Sequence, residues 1–254
     1  MSLTPYETPF QIHAHRGGGC LESDENTLAA FRYAYDLGVR GFETDVRICK
    51  SGELVLMHND TVDERTDGHG PIEAMTADEI RRLRTRGGNP ILFLETLVEF
   101  LADKRGLYLE LELKGCPAGR LDEYIAGVAA AADALNEGNA IIVTSFQPAL
   151  IQHYREARPG AQTMLITGMP CCAESIAAAL SAGAPRLACT WDGSTRSSVR
   201  AAHQVGLIVC GWPGSTVQDY LLGVALGFDH LCTDIPGETM RFIEKHMAWL
   251  PAAG

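Results

Sequence analysis

"NAIIVTSFQPALIQHYREARPGAQTMLIT", residues 139–167, opens and closes on a short apolar run. The runs NAIIVTSF (139–146) and AQTMLIT (161–167) have the length and composition of buried strands. Between them, QPALIQHYREARPG (147–160) is amphipathic and ends in glycine, as helix C-termini do. The same alternation extends outward in both directions. FQIHAH (10–15), RGFETDV (40–46) and GLYLELELK (106–114) precede this unit, and PRLACTW (185–191), GLIVCGW (206–212) and FDHLCTD (228–234) follow it. Amphipathic stretches such as ENTLAAFRYAYDLG and STVQDYLLGVALG lie between these runs. Strands that alternate with helices imply a parallel sheet covered by helices, and eight repeats imply a closed (β/α)₈ TIM barrel.

One segment breaks the rhythm. After the second strand, RICKSGELVLMHND (47–60) sets a Ser-Gly pair between two extended stretches, which predicts a hairpin that turns at Ser51-Gly52 and returns His58 toward the barrel mouth. The polar stretch that follows, to about residue 95, reads as a small inserted subdomain with one short helix. With no low-complexity linker or repeat, the 254 residues read as one barrel domain with an insertion at about 47–95.

Composition narrows the classes. The chain is 46% hydrophobic and 21% charged, with a formal net charge of −11, which argues against a broad nucleic-acid surface. An anionic substrate would therefore need a local cation. No apolar stretch approaches the length of a membrane helix. The N-terminal MSLTPYETPFQ lacks both a basic n-region and an apolar h-region, so a cytoplasmic chain is expected. None of the eight cysteines forms a CxxC pair, which fits buried free thiols in a reducing compartment. Helix faces such as AAALSAG are accounted for by the barrel itself and give no warrant for a dimer.

Barrel sites lie at the C-terminal ends of the strands. Strand 1 ends in His15-Arg16. Glu43 and Asp45 on the second strand share one side by their i, i+2 spacing, and Glu110, Glu112 and Lys114 do so on the third. Charges in apolar strands are costly to bury unless paired or bound to metal. Oxygen ligands without cysteine suit a hard cation, Mg²⁺ or Ca²⁺, and the alternative is a structural ion-pair network at the rim. Arg16 matches a pair of phosphate oxygens, and the glycines after it, Gly17 to Gly19, permit a tight turn. His13, two residues deeper than His15, reads as a packed interior residue. Asn26 and Thr27 either serve the site or cap the next helix.

HRGG…ENTLAAF, GFETDV, SGELVLMHND, LELELK, TSF and GFDHLCTDIP, in that order from about residue 12 to residue 238, resemble the glycerophosphodiester phosphodiesterase family. The resemblance implies metal-dependent hydrolysis of glycerophosphodiesters to glycerol 3-phosphate and an alcohol. It makes His15 and His58 the general acid/base pair, Arg16 and Lys114 phosphate ligands, and Glu43, Asp45 and Glu112 the ligands of one divalent cation. Glu25 supports the site in that pattern and Asn26 orients an active-site group. Phe146, Trp191 and Trp212 are candidates for the pocket wall, with core packing as the alternative.

Two departures stand out. Glu110 occupies a position where the family more often has a small polar residue, and it either binds a second cation or pairs with Lys114. GWPGST (211–216) replaces the family's usual W-T-V-N pattern, which leaves the alcohol head group open. Asp234, after the last strand, either faces the site or caps the following helix. Two rival readings remain. An amidohydrolase-like barrel would use H-A-H at strand 1 as paired metal ligands and Asp234 as a further one, and a non-catalytic barrel would bind phosphodiesters without turnover.

Overall fold

Eight parallel strands close into a ring in the computed structural model, which describes residues 11–246. Phe10 and the N-terminal run read for a leader lie outside the described residues. The ring consists of β1 (Gln11–Ala14), β2 (Gly41–Ile48), β4 (Tyr108–Leu113), β5 (Ala140–Ser145), β6 (Thr163–Pro170), β7 (Arg186–Thr190), β8 (Ile208–Gly214) and β9 (His230–Thr233). Every neighbouring pair in it is parallel, and β1 closes it by pairing with both β2 and β9. This is the expected (β/α)₈ TIM barrel. Helices α1 (Leu28–Asp36), α4 (Leu121–Leu135), α5 (Pro148–Ala157), α6 (Ala173–Ser181), α7 (Arg196–Gln204), α8 (Val217–Leu226) and α9 (Pro236–His246) surround it.

Strand alternation sorts the side chains into two layers. In β4, Leu109, Leu111 and Leu113 join the large core shared with the helices, whereas Tyr108 joins a small interior core with Ile142, Met164, Ile166, Ala188, Cys210 and Cys232. Glu110 and Glu112 share the inward face of Tyr108. On β2 the same rule sends Phe42, Val46 and Ile48 outward and Glu43 and Asp45 inward. The barrel interior is therefore apolar toward β5–β8 and ionisable toward β1, β2 and β4.

The segment after β2 turns at Ser51-Gly52, where Gly52 has φ +108, and returns as β3 (Leu54–Leu56), antiparallel to β2. Beyond it lie α2 (Ala77–Arg82), whose N-terminus is closed by a reciprocal Thr76–Glu79 capping box, and then α3 (Leu94–Leu101), which returns to the ring as the barrel helix before β4, with Leu94, Leu97 and Leu101 in the main core. A separate small core of Val55, Met57, Val62, Ile72, Ile80, Ile91 and Phe93 holds this segment together. Asn89 Nδ2 donates to Asp24 Oδ2 at 2.7 Å, and Thr85 donates to the same oxygen, which ties the insertion to the loop after β1.

Close backbone approach inside the ring makes one position intolerant. A Cβ at Gly41 would lie 2.1 Å from His13 Cδ2 and 2.7 Å from the Ile12 carbonyl oxygen. Gly41→Ala is expected to cost about 1–3 kcal/mol through overpacking, or roughly 3–10 °C in Tm by calorimetry. An unchanged Tm would show that the His13 ring does not fill the space beside Gly41.

Candidate active site

His15 is the first residue past β1, in a single helical turn (His15–Gly17) that leaves the barrel rim. Arg16 within that turn has φ +50, a left-handed conformation that side chains resist. Two contacts hold it there. Its backbone N–H donates to Glu43 Oε2 at 2.9 Å, and its carbonyl accepts from the Asn26 N–H at 2.8 Å. Strain at a rim residue held by this many partners is typical of a functional site. Gly19, also left-handed, passes so close to the end of β9 that a Cβ would meet the Asp234 carbonyl oxygen at 2.5 Å.

The His15 imidazole has a partner on each side. Its Nδ1 is 2.6 Å from Asp234 Oδ1, and its Nε2 lies 3.8 Å from Glu43 Oε2. Burial alone would lower the His15 pKa, but the bonds to Asp234 and Cys20 and the charge of Glu43 outweigh it and raise it well above the ordinary value. Asp234 is pulled down to about 2, against the effect of its own burial, chiefly by the same bond. Of the two alternatives for Asp234, the structure therefore selects the site, and Ser215 Oγ donates to its other oxygen at 3.1 Å. His58, delivered by the returning hairpin, has Nδ1 3.0 Å from Asn59 Oδ1. Its pKa is lowered by burial and by nearby Lys114 and Arg16, with Asp45 opposing.

Glu43, Asp45 and Glu112 are all buried, and one oxygen from each lies within 4.8 Å of the others. Burial, and then the charge of Asp45, raises the pKa of both Glu43 and Glu112. Asp45 moves the other way, because Lys114 and Arg16 overcome its desolvation. Lys114 Nζ sits 2.8 Å from Asp45 Oδ1 and 2.6 Å from Glu112 Oε1. Glu43 Oε1 is buried without a hydrogen-bond partner. Lys114 and Arg16, whose Nε is 3.6 Å from Asp45 Oδ2, leave the Glu43 oxygen unserved, and an unpartnered carboxylate oxygen in an all-oxygen cluster fits a hard divalent ion.

The remaining candidates fall around this centre. Glu25 Oε1 and Oε2 accept from Arg16 NH1 at 3.0 and 2.9 Å, so Glu25 aims the guanidinium. Asn26 Nδ2 donates to Asp45 Oδ2 at 2.8 Å, and its Oδ1 accepts from Thr44 Oγ1 at 2.7 Å. Thr27, not Asn26, caps α1, through a bond from the Ala30 N–H. His15, Arg16, Glu43, His58 and Glu112 line one side of a cavity of about 150 Å³, and Phe146, Met164, Ile166, Ala188 and Trp212 line the other. Trp191 does not line it: the ring packs against Phe228 and over Gly211, where a Cβ would fall 1.9 Å from it.

Several partnerships were not legible in the sequence. Glu110 is not paired with Lys114; its Oε1 is 2.9 Å from Nδ1 of fully buried His13. His13 and His15 thus have separate carboxylate partners, and the paired ligands required by an amidohydrolase-like site do not form. Arg47 fixes the hairpin end by donating from NH2 to the His58 carbonyl at 2.6 Å. Its sequence signal was weak, since an arginine at the rim end of a strand, where β2 runs into the hairpin, reads as a surface charge. Asp234 carried a clearer one: in a closed barrel, the end of the last strand must lie beside the end of the first.

The family model described as glycerophosphoryl diester phosphodiesterase matches residues 15–238. A Caldanaerobacter subterraneus protein named glycerophosphodiester phosphodiesterase is 37% identical over 110 residues, 41% of this chain and 44% of that protein. The chain thus spans less than half the length of that relative. A Mycobacterium tuberculosis protein, "probable glycerophosphodiester phosphodiesterase 1", is 29% identical over 264 residues and 94% of each chain. The structure of an Oleispira antarctica phosphodiesterase in complex with the product sn-glycerol-3-phosphate shares the fold with a TM-score of 0.81 at 21% identity, covering 95% of this chain and 100% of that one. With the match running from the first site histidine past the last barrel strand, the chain belongs to the glycerophosphoryl diester phosphodiesterase family.

Proposed function

We propose that this chain hydrolyses glycerophosphodiesters to glycerol 3-phosphate and an alcohol, with His15 and His58 exchanging the protons. The observation that carries this reading is that both histidines line one cavity with Arg16, Glu43 and Glu112. Glu43, Asp45 and Glu112 would hold one divalent cation, Mg²⁺ or Ca²⁺. When bound, it would draw charge from the non-bridging phosphoryl oxygens. Arg16, aimed by Glu25, would bind one of those oxygens, and Lys114 would offset the charge that builds during attack.

The two histidines differ in the groups behind them. Asp234 stabilises a protonated His15, which suits donation from Nε2 to the departing alkoxide. His58, held neutral, takes the proton of the glycerol 2-hydroxyl as that oxygen attacks phosphorus and the bond to the alcohol breaks. Water then opens the cyclic phosphate with the roles reversed: His15 removes its proton and His58 returns one to the 2-oxygen. The apolar wall of Phe146 and Trp212, whose rings meet edge to face at 5.3 Å, would receive the alcohol portion. Among the described residues no helix is long and apolar enough to cross a membrane. All eight cysteines are free, which supports a cytoplasmic, reducing setting.

The deciding experiment is release of glycerol 3-phosphate from a panel of glycerophosphodiesters with Mg²⁺, with Ca²⁺ and after chelation. Release with a metal, abolished by chelator and restored by the ion, is the expected result, and the panel then ranks head groups. A folded protein that binds the diesters and releases nothing with either metal would favour the non-catalytic barrel.

A further inference from the structure

Deeper in the barrel than the acidic cluster, three donor side chains have no part in the chemistry above. His13, Glu110 and Cys210 come from β1, β4 and β8, each two residues below a residue of the cavity rim or wall. One nitrogen, one oxygen and one sulfur from the three lie within 4.8 Å of one another, and all three residues are buried. Glu110 and Cys210 reach the cavity. His13 is fully enclosed, its ring stacked on Tyr108 at 4.2 Å and its Nδ1 turned to Glu110 Oε1 at 2.9 Å. The sulfur has contacts with backbone alone, the Gly211 carbonyl at 3.8 Å and the Cys232 backbone.

We propose that His13, Glu110 and Cys210 form a second metal site, selective for a thiophilic divalent cation of the zinc class. The donor set separates it from its neighbour: an imidazole, a carboxylate and a thiolate favour Zn²⁺ or Co²⁺, whereas the all-oxygen cluster favours Mg²⁺ or Ca²⁺. Tetrahedral zinc with bonds of about 2.1 Å to nitrogen and oxygen places those two donors about 3.4 Å apart. The observed 2.9 Å contact between His13 Nδ1 and Glu110 Oε1 therefore has to open by only about 0.5 Å. Charge closes as well. Cys210 gives its thiol proton to solvent on binding, and one thiolate and one carboxylate then neutralise the dication in an interior that tolerates no net charge. Three protein ligands leave the fourth position open toward the cavity.

The test uses the full chain loaded with Co²⁺ and needs no turnover. The parent is expected to show near-ultraviolet thiolate-to-cobalt absorption that Glu43→Gln retains and Cys210→Ser abolishes. The isosteric Glu110→Gln should weaken Co²⁺ binding at least about tenfold, and it keeps the test decisive if the serine variant misfolds. Cys232 is the control, because it forms another candidate group with His15 and Glu43. A band that survives Cys210→Ser but is lost in Cys232→Ser would overturn the assignment. So would the absence of a band in natively folded parent protein, or unchanged Co²⁺ affinity in Glu110→Gln.

Discussion

Exchanging His15 for glutamine is expected to lower kcat/KM toward a glycerophosphodiester by about 10²–10⁴-fold, with little change in Tm. The amide can still bond to Asp234, so the loss belongs to proton transfer and not to a collapsed rim. Asp234→Asn should give a smaller drop with a different signature. Without the carboxylate 2.6 Å from Nδ1, the His15 pKa falls. Protonated His15 is then lost at lower pH, so the alkaline limb of the rate profile moves down the pH scale. His58→Gln removes the other limb. A profile in Asp234→Asn identical to that of the parent would mean that His15 is not the proton donor.

The second large effect is on stability. In chelator, Tm is expected to fall as pH rises from about 6.5 to about 8. Glu43 and Glu112 have folded-state pKa values above their ordinary values, because of burial first and Asp45 second. The folded chain therefore binds more protons than the unfolded one; that stabilisation is complete below the ordinary carboxylate pKa and is lost as pH climbs through the raised values. His15, also raised, adds to the loss in the same direction, whereas His58 and buried His230, both lowered, oppose it only up to the ordinary histidine value of about 6.5. A divalent ion should reverse the trend. At about 100 times its Kd it contributes about 2.7 kcal/mol, roughly 5–10 °C for a chain of this size, and more at the alkaline end, where protons no longer compete. Glu43→Gln should flatten the slope in chelator and remove most of the metal effect. A metal response equal at both ends of the range would show that the buried acids are not its ligands.

The barrel was legible because periodicity is a local property. Eight apolar runs with helical patterns between them need no knowledge of contacts, and the hairpin that carries His58 announced itself in one Ser-Gly pair. The inward carboxylates were legible for the same reason: Glu43, Asp45 and Glu112 follow from strand alternation alone. Partner choice was not. Lys114 and His13 compete for the carboxylates of β4, and only their depth in the barrel decides that Lys114 takes Glu112 while His13 takes Glu110. Trp191 shows the same limit, since an aromatic at a strand end can turn in or out. Here Gly211 leaves the space on the outer face that receives its ring.

The bond between His15 and Asp234 joins residues 219 positions apart in sequence. During synthesis at about 5–20 residues per second, the first strand leaves the ribosome many seconds before the strand that completes its histidine. A nascent or prematurely terminated chain can therefore display its N-terminal histidine, arginine and acids without assembling them into a working centre. The rim around His15 is complete only once residue 234 has been made and folded against it, so a chain that stops short of the last strand would lack the carboxylate that holds that imidazole.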